Sequence, residues 1–206
     1  MSITTIVFDM GGVVFTLDHR QAIRRFVEIG VSNAPEYINP YHQEGIFGEL
    51  EQGLITTEEF RERLSAACGK ELTLDECAYA WKGFIADVPP SPLDTIRRLR
   101  EQGYRTLLLS NTNAFITAWG RSSEFDGRGR SMYHYFDELY FSCEVRIMKP
   151  DPAIFLHMLE KEGLTPSECI FVDDSAANVA TARTLGFTTL QPVSGTDWTP
   201  DLLTLL

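Results

Sequence analysis

The chain has 206 residues, 44% hydrophobic and 23% charged, which is enough to bury one substantial core with a small accessory module and leaves no stretch so polar that it must stay disordered. Its 29 acidic and 18 basic residues give a formal charge of -11, which argues against a protein held on nucleic acid or anionic lipid by diffuse positive charge. A small anionic substrate would also be repelled at long range, so a site for one needs a metal ion and local cations.

Residues 1–9 carry no cationic start and no long apolar run. They read as neither a signal peptide nor a membrane span, and the expected location is the cytoplasm. Cys68, Cys77, Cys143 and Cys169 are far apart, form no C-x-x-C pair, and have His42 as the nearest imidazole to Cys68. That is poor zinc spacing, so the four read as reduced structural thiols.

Residues 3–9 form a short apolar run ending in Asp9, the pattern of a buried strand. Helical stretches follow at 20–29, at 57–68 with Thr56 or Thr57 as N-cap, and at 74–85. This segment is too long for one crossover helix and too short for a full domain, so it reads as a small helical cap. Val88-Pro89-Pro90-Ser91-Pro92 makes a stiff return. Beyond it, helical patterns at 92–102, 152–162 and 176–185 alternate with apolar runs at 104–110, 138–142, 169–174 and 188–193. Residues 120–134, with Arg121, Arg128 and Arg130 against Glu124 and Asp126, read as a surface loop. The alternation predicts an α/β fold with a doubly wound, mostly parallel, Rossmann-like sheet. The expected division is a core of residues 1–15 and 91–206, with a helical cap of 16–90 inserted after the first strand.

Ligands of open parallel sheets bind outside the carboxyl ends of the strands. Here those ends carry Asp9-Met10-Gly11-Gly12, Ser110-Asn111-Thr112-Asn113, Lys149-Pro150-Asp151-Pro152 and Asp173-Asp174-Ser175. Each has an ordinary reading alone: a turn, an N-cap, a solvated lysine. The adjacent carboxylates of Asp173 and Asp174 are harder to dismiss, because they repel unless a cation or donors compensate. Together the four suit phosphoryl transfer. Asp9 can attack phosphorus to form an acyl phosphate. Mg²⁺ held by Asp9 and the acidic pair would neutralise charge. Ser110, Asn111 and the backbone N–H groups after them would bind phosphoryl oxygens, and Lys149 would supply a point charge.

In these motifs, in this order from Asp9 to Leu185, the chain resembles the haloacid dehalogenase-like hydrolases. It is similar in pattern to bacterial sugar-phosphate phosphatases of the glucose-1-phosphate type and to the phosphatase domain attached to some epoxide hydrolases. The resemblance implies Asp9 as nucleophile and Asp9, the Gly11 carbonyl and Asp174 as metal ligands, with Asp173 beside them. It implies a Mg²⁺-dependent phosphatase acting on a small phosphorylated metabolite, with no nucleic acid or membrane partner. The sequence favours neither monomer nor homodimer.

Two positions depart from the family pattern. Gly11 stands where most family phosphatases carry an aspartate that acts as general acid and base. Either the substrate leaves easily, as an anomeric phosphate does, or another residue donates the proton; Asp18, His19 and Arg20 are candidates, though they also read as a helix start. Arg146 stands where relatives have glycine, either binding an anionic group or facing water. Tyr37, Tyr41, Phe47 and Trp81 could line a sugar-sized pocket or simply pack the cap. The alternatives are a 2-haloacid dehalogenase, against which the acidic pair argues, and a non-catalytic regulatory or binding protein on the same fold.

Overall fold

The computed structural model describes residues 2–38 and 44–206; Tyr41 and His42 lie outside them. In chain order the elements are β1 (Thr5–Phe8), β2 (Thr16–Leu17), α1 (His19–Glu28), α2 (Ala34–Tyr37), α3 (Gly45–Glu51), α4 (Thr57–Cys68), α5 (Leu74–Trp81), β3 (Ile85–Asp87), α6 (Pro90–Glu101) and β4 (Arg105–Ser110). They continue with α7 (Ala114–Arg121), β5 (Glu138–Phe141), α8 (Ser142–Val145), α9 (Pro152–Glu162), β6 (Cys169–Val172), α10 (Ala176–Leu185), β7 (Thr188–Leu190) and α11 (Thr199–Leu203).

Five strands form one sheet in the order β5-β4-β1-β6-β7, with every pair parallel. Successive side chains of a strand point to opposite faces, and here both faces are covered. Ile6, Phe8, Leu108, Ile170 and Val172 share one apolar cluster with Leu93, Ile96 and Leu99 of α6. Val7, Leu107, Leu109 and Phe171 share another with Ile154, Phe155 and Met158 of α9. This two-sided burial is why the strands read as continuous apolar runs. Chain order reverses on either side of β1, so the crevice outside its carboxyl end is the natural place for a ligand.

The helices α1 to α5 lie between β2 and β3, which pair antiparallel as a ribbon. An aromatic cluster holds the helices together: Phe47 meets Phe26, Tyr37, Phe60 and Trp81 with ring centroids 5.0 to 5.5 Å apart. Phe60 in turn reaches Phe115 on α7 at 6.1 Å, tying the helical layer to the sheet side. Thr56 caps α4 in a reciprocal box with Glu59, which decides between the two threonines.

Several elements differ from the sequence reading. The third helical stretch stops at Trp81, giving way to a 3-10 turn and β3, because α1 presses on the turn: a Cβ at Gly83 would lie 2.8 Å from Ala22 Cα. The proline run does not merely return the chain; Pro90 opens α6, where a missing N–H costs nothing. Residues 120–134 form a packed corner, with Phe125 and Met132 buried and the Asp126 carboxylate accepting from Tyr135 Oη at 2.6 Å and from the N–H groups of Arg128 and Arg130. Arg121 pairs with Glu144 of α8 and Arg128 with Asp94 of α6, so this corner is braced against both helices. All four cysteines are free thiols. Among the described residues, no helix is long and apolar enough to cross a membrane.

Arg146 ends α8 in the left-handed region at φ 61°, exposed to solvent. A side chain there costs about 1–2 kcal/mol, against about 0.5–1 kcal/mol for the extra freedom glycine must lose on folding. Arg146→Gly is therefore expected to raise stability by up to about 1 kcal/mol in urea unfolding, with turnover unaltered.

Candidate active site

Parallel pairing of β1 with β4 and β6 brings three strand ends level. Asp9 follows β1, and its N–H donates to the Val172 carbonyl at 2.8 Å. Ser110 ends β4, and Asp173 and Asp174 follow β6. Lys149 comes from the loop before α9, whose start is set by Asp151 accepting from Ala153 N and by Pro152 in the first turn.

Lys149 Nζ lies 2.7 Å from Asp9 Oδ1 and 2.7 Å from Asp173 Oδ2, in a buried position. Asn111 fixes its backbone: Oδ1 accepts from Lys149 N and Nδ2 donates to Lys149 O, each at 2.8 Å. The Asn111 side chain is thus spent on holding Lys149, leaving its backbone for phosphate. Ser110 remains available, since its one hydroxyl contact is a long 3.4 Å approach to the Asn111 carbonyl. Asp173 is fully engaged, accepting from Asn178 Nδ2 at 2.9 and 3.1 Å and from Ser175 N at 2.8 Å besides Lys149.

Burial pushes the Asp9 carboxyl above the usual carboxylate range, opposed by Lys149. Burial also works against the Lys149 ammonium, but the charges of Asp173 and Asp9 outweigh it and hold the proton more tightly than in water. Asp174 is raised by burial, with a hydrogen bond from Ser194 pulling the other way. Three carboxylates with one lysine leave excess negative charge, which a divalent cation relieves.

The donor set fits a hard cation. Asp9, Asp173 and Asp174 each offer a carboxylate oxygen within 4.8 Å of the others. Because Asp173 is already occupied, Asp9 and Asp174 are the carboxylates free to hold one, with the Gly11 carbonyl, which accepts no backbone hydrogen bond from a described residue. Gly12 makes the cradle possible: it sits at φ 78°, and a Cβ there would overlap the Asp174 carboxylate.

These groups open into a cleft of about 740 Å³ that Phe15, His19, Glu51, Trp81 and Phe84 also line. Of the candidates for the missing proton donor, Asp18 caps α1 by accepting from Gln21 N at 2.9 Å, and Arg20 is exposed. Only His19 reaches the cleft, edge-on to Phe84, and burial lowers its pKa. Of the aromatics expected in the helical insertion, Trp81 lines the cleft, whereas Phe47 is buried among the helices with Tyr37 stacked on it. Glu51, Asn113, Ser142 and Asn178 were not foreseen. Asn178 had the best chance, as a polar residue one turn into the helix after the acidic pair.

The profile of the haloacid dehalogenase-like hydrolases matches residues 3–186. The chain belongs to that family. It is 42% identical to the D-ribitol-5-phosphate phosphatase of Bacteroides thetaiotaomicron, over 99% of this chain and 98% of that one. Its fold superposes with a TM-score of 0.93 on a protein of Porphyromonas gingivalis described as a haloacid dehalogenase-like hydrolase, at 41% identity and with 100% and 98% of the two chains covered. A family enzyme from Bacteroides thetaiotaomicron, solved as a variant with magnesium and inorganic phosphate, superposes at 0.91 with 36% identity over 98% and 99% of the chains.

Gly12→Ala is expected to displace Asp174. The Mg²⁺ concentration giving half-maximal activity should rise by about 10- to 100-fold, and the left-handed backbone should cost about 1–2 kcal/mol of stability. Metal titration and urea unfolding read the two effects separately.

Proposed function

We propose that this protein is a Mg²⁺-dependent phosphatase of hydroxylated small-molecule phosphates of the sugar and polyol class. One observation carries the reading: a buried lysine clamped to Asp9, beside Asp174 whose space Gly12 clears. Asp9 attacks phosphorus, and the ester oxygen departs with an acyl phosphate left on Asp9. Lys149 fixes the direction of the attacking carboxylate and offsets charge on the phosphoryl group. Ser110 and the N–H groups after it hold phosphoryl oxygens. Bound Mg²⁺ would be held by Asp9, Asp174 and the Gly11 carbonyl and would neutralise charge on the transferring group. A second attack, by water, frees phosphate and restores Asp9.

The remainder of the cleft suits a substrate with hydroxyl groups. Trp81 Nε1 and Asn113 Nδ2 are buried without a hydrogen-bond partner, and both residues line the cleft. Asn113 cannot be flipped to hide the fault, because Oδ1 already accepts from Phe115 N and Ile116 N as the cap of α7. Buried unpaired donors cost about 1–3 kcal/mol each, and a ligand hydroxyl or carbonyl oxygen would satisfy them. The substrate of the 42%-identical relative, D-ribitol 5-phosphate, has such a chain of hydroxyls.

Purified protein with Mg²⁺ should release phosphate from D-ribitol 5-phosphate, lose the activity with EDTA, and regain it on adding Mg²⁺. Asp9→Asn should reduce turnover by about 10³-fold or more. No release above background across a panel of sugar and polyol phosphates would defeat the proposal. Asn113→Ser keeps an N-cap but withdraws the amide donor, so KM for the polyol phosphate should rise by about tenfold, the worth of one such hydrogen bond.

A further inference from the structure

An alkyl phosphate such as a polyol phosphate has a poor leaving group, and general acid help there is worth about 10²- to 10⁴-fold. The usual position for that acid is closed in this chain. Gly11 has no side chain, and a Cβ at Gly11 would meet Leu17 Cδ1 at 3.0 Å, so an apolar residue of β2 fills the space. His19 is in the cleft, but its lowered pKa leaves it neutral at neutral pH, a weak acid.

Besides Asp9 and Asp174, Glu51 is the carboxyl-bearing residue that lines the cleft. It is the last residue of α3, and its backbone is held against the phosphate-binding loop by two contacts. The Ser142 hydroxyl lies 2.6 Å from the Glu51 carbonyl and accepts from Thr112 N at 2.9 Å, so a single side chain spans from Glu51 to the second residue after Ser110. Gly53 approaches the Cys143 carbonyl so closely that a Cβ would overlap it. Glu51 lines the cleft, and its carboxyl has no hydrogen bond or ion pair with any described residue. In an in-line displacement the leaving oxygen departs on the side of phosphorus away from Asp9, and Glu51, with Trp81 and Phe84, lines the same cleft that Asp9 opens into.

We propose that Glu51 is the general acid of this enzyme, reaching the leaving oxygen from the cap in place of the aspartate that Gly11 lacks. The assignment rests on the phosphatase reading above. As Asp9 Oδ bonds to phosphorus and the phosphorus–oxygen ester bond breaks, the Glu51 carboxyl proton passes to the departing alkoxide, which leaves as an alcohol. Water then attacks the acyl phosphate from the vacated side and gives its proton to the Glu51 carboxylate. Phosphate leaves, Asp9 is a carboxylate again and Glu51 is again an acid.

The surroundings keep that proton in place. Loss of water around the carboxyl pushes Glu51 up to about 8. Among the described residues the cations of the site and of α4 and α7 are paired elsewhere: Lys149 lies between Asp9 and Asp173, Arg63 pairs with Glu49, and Arg121 with Glu144 of α8. The nearby Cys143 thiol on α8 is itself pushed by burial up to about 12, and His19 is neutral.

The test compares Glu51→Gln with the unmodified enzyme on D-ribitol 5-phosphate and on p-nitrophenyl phosphate, whose phenolate leaves without a proton. The expected result is a fall in kcat of about 10²- to 10⁴-fold on the polyol phosphate and of less than about tenfold on the aryl phosphate. Competitive inhibition by inorganic phosphate, which needs only a folded site, should stay within about twofold in the variant. The unmodified enzyme should lose kcat on the polyol phosphate as pH rises through about 8, where Glu51 ionises, and the variant should lack that limb. Equal losses on both substrates, or no loss on either, would overturn the assignment while leaving the phosphatase reading intact. An unmodified enzyme inactive on both substrates would remove both.

Discussion

The site depends on one buried ammonium shared by two carboxylates. Lys149 sits 2.7 Å from both Asp9 and Asp173, in a place where an unpaired charge would cost several kcal/mol. Three nearby polar residues keep that arrangement. Asn111 grips the lysine backbone, Asn178 and Ser175 saturate Asp173, and the parallel register of β1 with β6 sets Asp9 level with the acidic pair. The consequence is a division of labour between adjacent aspartates. Asp173 is bound to the protein on all sides, whereas Asp174 points toward the space that Gly12 leaves empty.

The second constraint is how the helical layer meets the sheet. Phe60 against Phe115 gives it apolar contact, and the antiparallel ribbon of β2 with β3 carries the chain out and back. A polar joint at Ser142 adds direction. It bonds the end of α3 to the backbone of Thr112, so any shift of α3 is felt two residues from Ser110. Packing alone could let the layers slide; a buried hydroxyl with both donor and acceptor roles filled favours one register.

The parallel sheet and the convergence of the four motifs are legible because both rest on local patterns. Apolar runs at 3–9, 104–110 and 169–174 need only the rule that parallel strands present their carboxyl ends together. The helix starts at Thr57 and Pro152 were marked by caps and a proline. What escaped the reading depends on contacts distant in sequence. The turn after Trp81 exists because Ala22 crowds Gly83, and nothing near Gly83 announces it. Residues 120–134 looked solvated from their arginines, yet Asp126 turns inward to Tyr135 and the corner packs on Phe125 and Met132. Asn111 looked like a phosphate ligand, and only its distance to Lys149, 38 positions away in sequence, shows that its side chain has another task.

The two members of the glycine pair after Asp9 do opposite things. Gly12 is required by geometry: a positive φ and the Asp174 carboxylate leave no room for a side chain. Gly11 has no such backbone constraint; what occupies its missing side-chain volume is Leu17, from the ribbon that leads into the cap. An apolar residue has therefore taken the place of a polar one beside the nucleophile. A proton for the leaving oxygen must then come from elsewhere in the cleft, and Glu51 holds one because its own surroundings shield the carboxyl from water.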